Sequence, residues 1–431
     1  MEIISFKNSG NLLRLADSLE TNAVMGWLSA SGTIIAPSSL TIDDALQNIK
    51  KNYKTILMDY PTLRIKMITK DHLQYWCYAT DEEIQFNRLI KIVNDAPLED
   101  EVPTPYEPDR APLWRVHLTS IKNKMKLKVI ASHGIIDGRS IFDLFELFAS
   151  YAFGKEINEN LKNYRNQPVL YEFGKKDWFT EEITNNKLDD PYTSIIIKDI
   201  KINPSVTLPS HVINPQWEVD YPPISKFCRK HGITPQSILM AIQNDAIRIF
   251  NQGKFNNEID TIPIAVYIPV DNRHSPYATK LLKNSLFFSH VGIVLPLILP
   301  EKDKLKNMKN CAKVLKDALN TTQSCDVAYS SANMRNFETH ELTYPQHYPN
   351  PATYVFASHL GLVGVGYDDI QFRSHSPVYE GMYWPNLYGF HNKKTFAFMF
   401  NIPYNCPKNF FESVKTTSLK YYNYILNDIK E

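Results

Sequence analysis

No stretch of this 431-residue chain stays apolar long enough to cross a bilayer. The longest candidate, LFFSHVGIVLPLIL over 286–299, is interrupted by Ser289, His290 and Pro296, and a spanning helix needs about 20 apolar residues. The N-terminal MEIISFKNSGNLLRLAD lacks the apolar core and small-residue cleavage site of a secretion signal, so a cytoplasmic location is expected. Cysteine is scarce: Cys77, Cys228, Cys311, Cys325 and Cys406 are odd in number and far apart, with no CxxC pair. That argues against a disulfide framework and against zinc, and suits buried thiols in a reducing compartment. The twelve histidines include no HExxH spacing, so no metal is expected. Neither sign of charge dominates: 47 Lys and Arg against 46 Asp and Glu leave a formal charge of +1. Nothing in that balance calls for nucleic acid or an acidic membrane surface. No repeat of 20–50 residues recurs, which sets aside solenoids and propellers.

What is present describes a globular chain. The hydrophobic fraction is 43% and the charged fraction 22%, with 24 Tyr and 22 Phe to fill a core. The length suits two domains of about 200 residues. LTIDDALQNIKKNYKTILMDYPTL (40–63) predicts a helix with Thr41 as cap, acidic residues in its first turn and Pro61 closing it. LRIKMI and LQYWCYA predict one strand pair; LWRVHLTSI (113–121) and KLKVIAS (126–132) predict a second, turning at Lys122–Lys124. The pattern weakens over 154–215. A first half over 1–180, a crossover over 181–204 and a second half over 205–431 are therefore expected. In the second half, PPISKFCRKHG reads as a helix stopped by Gly232, and Thr234-Pro235 as cap and first residue of the next. IPIAVYIPV (262–270), TYVFASHLGLVGV and FAFMFNIPYN read as strands, and residues 302–319 and FESVKTTSLKYYNYILNDI as helices. Helices and strands mix in both halves, so the class is α/β or an α+β sandwich. GLVGVG (361–366) lacks GxGxxG spacing and a following helix, which argues against a nucleotide loop. The aromatic- and proline-rich stretch 336–354 is expected to be a long loop covering a site mouth.

One segment concentrates chemistry: KMKLKVIASHGIIDGRSIFDLFELFASYAFG. Met125, Leu127, Val129 and Ala131 mark one strand face, and His133 follows on the same parity at the strand end. The chain then turns through Gly134 and Asp137-Gly138 into a helix that Ser140 is expected to cap, with Asp143 in its first turn and Gly154 at its end. A histidine presented from such a turn can take a proton near neutral pH, with the carboxylate fixing the turn. The plain alternative is a surface histidine beside an Asp-Gly turn, because HxxxD is a short spacing.

HxxxDG after a strand resembles the active-site motif of the chloramphenicol-acetyltransferase-like superfamily, which includes condensation domains, alcohol acetyltransferases, plant acyltransferases and wax-ester synthases. Further segments follow in the order those families show. YPTLRIKM (60–67), APLWRVHL (111–118), HGITPQSILMA (231–241), IPVDNR (268–273) and ASHLGLV (357–363) resemble their Leu-Arg, PLW, Thr-Pro, PVDxR and SNxG landmarks. Two departures stand out: Ser132 replaces the first His of HHxxxDG, and His359 replaces the Asn of SNxG. The plant DFGWG motif is absent, with GMYWPNLYGF (381–390) in its region.

The resemblance implies two similar halves forming a V around a tunnel, sufficient as a monomer. It implies His133 as general base, Asp137 as a structural carboxylate paired with an arginine, and Gly138 as the turn residue. Arg64 is the preferred arginine and Arg273 the second. Ser358 and His359 are candidate oxyanion donors. The implied reaction moves an acyl group from a thioester to a hydroxyl or amine of a small-molecule acceptor. Acyl-CoA is the expected co-substrate, an acyl-carrier-protein thioester the alternative, and no permanently bound cofactor is expected. The rival reading is a catalytically silent scaffold that kept the fold.

Overall fold

Thr41 begins the first long helix as its side chain predicts. In the computed structural model, which describes residues 6–16, 20, 26–35, 40–71, 73–93, 112–163, 165, 178–180, 214–251, 263–283, 291–294, 296–332, 355–375, 386–401 and 408–430, Thr41 and Asp44 form a reciprocal capping box. Each satisfies a backbone N–H that the helix start leaves unpaired. The expected crossover over 181–204 and the expected loop over 336–354 lie outside the described residues.

The first half contributes β1 (Leu12–Leu15), β2 (Trp27–Ile35), α1 (Ile42–Asp59), β3 (Ile65–Lys70), β4 (Leu73–Tyr78), β5 (Ile90–Ile92), β6 (Trp114–Ile121), β7 (Lys124–Ser132) and α2 (Ser140–Phe153). The two expected hairpins form, turning through Asp71 and Lys122, both at positive φ. β7 lies between β2 and β6, antiparallel to both. α2 covers this sheet with Phe142, Phe145 and Phe148, all fully buried, and Phe148 lies 5.2 Å from Trp114.

The second half contributes β8 (Gln216–Asp220), α3 (Tyr221–His231), α4 (Pro235–Asn251), β9 (Ile264–Asp271), β10 (Val291–Val294), β11 (Leu297–Ile298), α5 (Lys304–Leu319), β12 (Val355–Leu362), β13 (Asp368–His375), β14 (Asn386–His391), β15 (Thr395–Asn401) and α6 (Lys408–Asp428). Gly232 ends α3 in the left-handed region, φ 67°, where glycine carries no Cβ penalty. The sheet runs β10-β9-β12-β14-β15-β8, with β11 also on β9. The α/β class read from the sequence is the class observed.

β13 belongs to the second half by sequence but pairs with β2 in the first-half sheet, from Asp368 opposite Thr33 to His375 opposite Trp27. Between β12 and β13 the chain takes positive φ at Gly361, Gly364 and Gly366. Gly364 has no room for a side chain, since a Cβ would sit 2.5 Å from Ile370. The crossing inserts Leu360, Val363, Tyr367, Ile370 and Phe372 into the first-half core. Each fully buried large apolar side chain contributes roughly 1.5–3 kcal/mol, so this strand ties the halves firmly.

Candidate functional site

β7 ends at Ser132, and the next residue escapes the sheet. The His133 N–H still donates to the Gly26 carbonyl, at 2.7 Å, and the Ile135 N–H to Ser132, at 3.1 Å. The turn therefore starts from a fixed point. Ser132 is buried, and its hydroxyl accepts the Gly134 N–H at 3.1 Å. This residue, standing where the resemblance has a histidine, is thus a support of the turn. His133 Nδ1 lies 2.9 Å from the Ile136 carbonyl oxygen. A carbonyl only accepts, so Nδ1 carries the hydrogen and Nε2 keeps its lone pair.

Asp137 is buried and fully engaged. Its Oδ1 accepts the N–H groups of Arg139 and Ser140, both at 2.9 Å, and its Oδ2 accepts the Ser140 hydroxyl at 3.0 Å. The Asp137 carboxylate, and not Ser140, therefore takes the first free N–H groups of α2. A second-half arginine completes the arrangement. Arg273 Nη2 lies 3.1 Å from Asp137 Oδ2, Nη1 donates to the Ser140 hydroxyl at 3.1 Å, and Nε meets Asp271 at 2.8 Å. Burial opposes the charge on Arg273, but Asp137 and Asp271 outweigh it and raise its pKa. The same pairing outweighs burial at Asp271 and lowers that carboxyl.

Arg64, the arginine preferred from the sequence, stands elsewhere. Its guanidinium lies over the rings of Phe6 and Tyr78, at 4.4 and 5.0 Å from their centroids. Asp137 pairs instead with Arg273, because the PVDxR-like strand β9 ends at the junction while the YPTLR turn leads away into β3 and β4.

At the junction lies a cavity of about 760 Å³ whose walls come from both halves, among them Leu28, His133 and Gly138 from the first and Ser358, Leu360 and Phe372 from the second. The contact is tight: a Cβ on Gly138 would sit 3.1 Å from Leu360. Strand alternation turns Ser358 toward this space and the ring of His359 to the opposite face of β12. There the ring stacks on His391 and Phe396, at 5.3 and 5.8 Å, and the His359 N–H donates to Gln236 at 2.7 Å. Burial, helped by His391 and Arg139, pushes the His359 pKa down to about 3. His359 is thus a neutral ring that stacks on its neighbours, and the residue still lines the cavity beside Ser358. Among the described residues, Nε2 of His359 is buried without a hydrogen-bond partner, and Ser358 lines the cavity.

Sequence reasoning passed over Arg139 and Asp271, and read Ser140 only as a helix cap. Polar residues after an Asp-Gly turn, or just before an expected arginine, look like ordinary surface chemistry until the two halves are docked. Three of the four described thiols, those of Cys228, Cys311 and Cys325, are held away from the thiolate form that attacks. Burial pushes Cys228 up to about 12 and also raises Cys311 and Cys325. The described residues include no metal-binding cluster and no helix long and apolar enough to cross a membrane.

No family model and no curated protein matches the sequence. Solved structures do. The trichothecene 15-O-acetyltransferase of Fusarium sporotrichioides matches with a TM-score of 0.65 at 12% identity, over 97% of this chain and 98% of that one. The epimerization domain from the third module of tyrocidine synthetase B matches at 0.64 and 11%, over 98% and 99%. F. graminearum TRI101, solved with coenzyme A and T-2 mycotoxin, matches at 0.61 and 11%, over 93% and 98%. Over nearly its whole length, this chain has the fold of the chloramphenicol-acetyltransferase-like acyltransferases and condensation domains.

Proposed function

We propose that the protein is an acyltransferase that moves an acyl group from a thioester to the hydroxyl or amine of a small acceptor, with His133 as base. The observation that carries this reading is the hydrogen bond from His133 Nδ1 to Ile136, which reserves Nε2 for a proton at a cavity between the halves. Nε2 takes the proton of the acceptor as its oxygen or nitrogen bonds to the thioester carbonyl carbon. The carbonyl becomes an oxyanion, for which Ser358 on the cavity wall is the candidate donor. As the intermediate collapses, the C–S bond breaks and the Nε2–H proton passes to the departing thiolate. Electrons and protons balance, so no metal, redox group or covalent acyl-enzyme is required.

Coenzyme A is the proposed donor carrier, supported by the coenzyme A bound in a structural neighbour. Both cavity walls come from one chain, so a monomer suffices. The test supplies acyl-CoA esters of graded length with panels of alcohols and amines, and follows thiol release. Acceptor-dependent release that falls roughly 10²–10⁴-fold in His133→Ala, with melting unchanged, is expected. Release only from a carrier-protein thioester would change the donor. Absence of transfer from either donor would favour the silent-scaffold reading.

A further inference from the structure

Two arginines cross the junction in opposite directions, and only one of them belongs to the motif resemblance. Arg273 reaches from the second half to Asp137. Arg139 reaches from the first half to the backbone of β12, where Nη1 donates to the carbonyls of Leu360, at 3.3 Å, and of Leu362. Its Nη2 lies 3.5 Å from Asp143, one turn along α2, so the guanidinium is anchored on its own side. The Arg139 backbone N–H is held by Asp137.

The target of this reach is not ordinary strand. Pairing of β12 with β14 follows a regular register from Phe356 to His359 and then slips before Leu362. Over the slip, Leu360 is without its regular ladder position, and Gly361 has φ 82°. A half-buried carbonyl left without a partner is costly; the guanidinium meets that of Leu360, a buried residue, and also reaches that of the exposed Leu362. On its other face β12 is held by α4, with Gln243 donating to the Phe356 carbonyl and Gln236 to that of Ala357, both at 3.0 Å. Ser358 therefore lies between a second-half anchor and a first-half one, and the first-half anchor follows His133 by six residues.

We propose that Arg139 is a positioning residue: it sets the spacing between the turn that carries His133 and the strand that carries Ser358. This rests on the acyltransferase reading for its consequence, but not for its geometry. Arg139 touches no reacting atom in this account. It acts through Leu360 and Leu362, and a planar fork can serve both carbonyls where a lysine ammonium on a flexible stem holds them less firmly.

The test uses the full chain in four forms: wild type, Arg139→Met, Ser358→Ala and the double variant. Misplacement by about 1 Å can cost on the order of 10²-fold in rate. Arg139→Met is expected to lower kcat about 10–100-fold with KM for both substrates within threefold, and Arg139→Lys to recover part of the loss. In the Ser358→Ala background the same change is expected to cost no more than about threefold, because the spacing no longer has a donor to serve. Hydrogen exchange of a peptide spanning 355–366 is expected to quicken in Arg139→Met while peptides from α5 do not change. Equal losses of kcat in both backgrounds, or unchanged exchange in 355–366, would overturn the proposal. A wild type that transfers no acyl group would sink the acyltransferase reading, and the exchange experiment would still decide whether Arg139 braces β12.

Discussion

His133 and His359 border the same cavity from opposite halves, and their rings stand in different surroundings. His133 lies one residue beyond the end of β7, in a turn, and its Nδ1 is tied to a local carbonyl. His359 lies inside β12 and is stacked on His391 and Phe396, with its pKa pressed down to about 3. Both residues are histidines in segments that resemble family landmarks, so residue type alone does not separate them. Position relative to the strand end does. Past the last ladder bond a side chain is free of the two-residue alternation and can be aimed by its own turn. Within the strand, parity sends it into the core or away from it. A histidine that must exchange protons needs the first situation, while one that packs is kept neutral by the second.

Removing the frame beneath His133 is the strongest way to break this contrast. Asp137 and Arg273 form a buried pair that also caps α2. Arg273→Ala or Asp137→Ala should cost about 3–5 kcal/mol of stability, since each leaves a buried charge behind, and turnover should fall with it. Arg64→Ala, which removes two cation–π contacts worth about 0.5–1 kcal/mol each, should leave turnover within twofold. Chemical denaturation of the three variants checks the ranking. A collapse of activity in Arg64→Ala with Arg273→Ala unaffected would return the structural pairing to Arg64.

A smaller effect comes from the first turn of α2. Burial, only partly offset by Arg139, raises the Asp143 pKa from an ordinary 3.8 to about 6. The folded protein then holds this proton more tightly than the unfolded chain. Its stabilising contribution is present below about pH 4 and is lost as pH rises to about 6. Melting temperatures of wild type and Asp143→Asn, compared across that window, should diverge by a few degrees, with the wild type losing ground as pH rises. Parallel curves would show that Asp143 is well solvated.

The smallest effect is expected at His359 itself. His359→Asn restores the residue of the resembling landmark but removes a ring stacked on two neighbours. It should lower stability by about 1–2 kcal/mol and leave kcat within about threefold. A hundredfold fall in kcat with unchanged melting would put His359 in the chemistry.

Much of this was legible in the sequence because it is local. The Thr41 cap, the hairpin turns at Asp71 and Lys122 and the Gly232 stop each depend on a few adjacent residues, as does the strand-turn-helix around His133. β2 escaped notice because WLSASGTII is buried on both faces of a central strand, so its small and polar residues show no alternation. β13, DDIQFRSH, carries charges that read as surface, and its place beside β2 depends on a pairing between residues more than 300 positions apart. Arg64 was preferred over Arg273 for the same reason. Sequence order says nothing of which arginine the docked halves bring to Asp137, and a separation of 136 residues leaves no periodic trace.

If His133 Nε2 accepts the acceptor's proton, a small base supplied in solution should do the same work in its absence. Purified His133→Ala, with its fold checked by circular dichroism, is supplied with a thioester, an acceptor and a series of imidazoles of graded basicity. This slow variant is expected to turn over faster with added imidazole, and faster still with the more basic members of the series. Turnover in unsupplemented His133→Ala within a few-fold of wild type, or rescue indifferent to basicity, would contradict that role of His133.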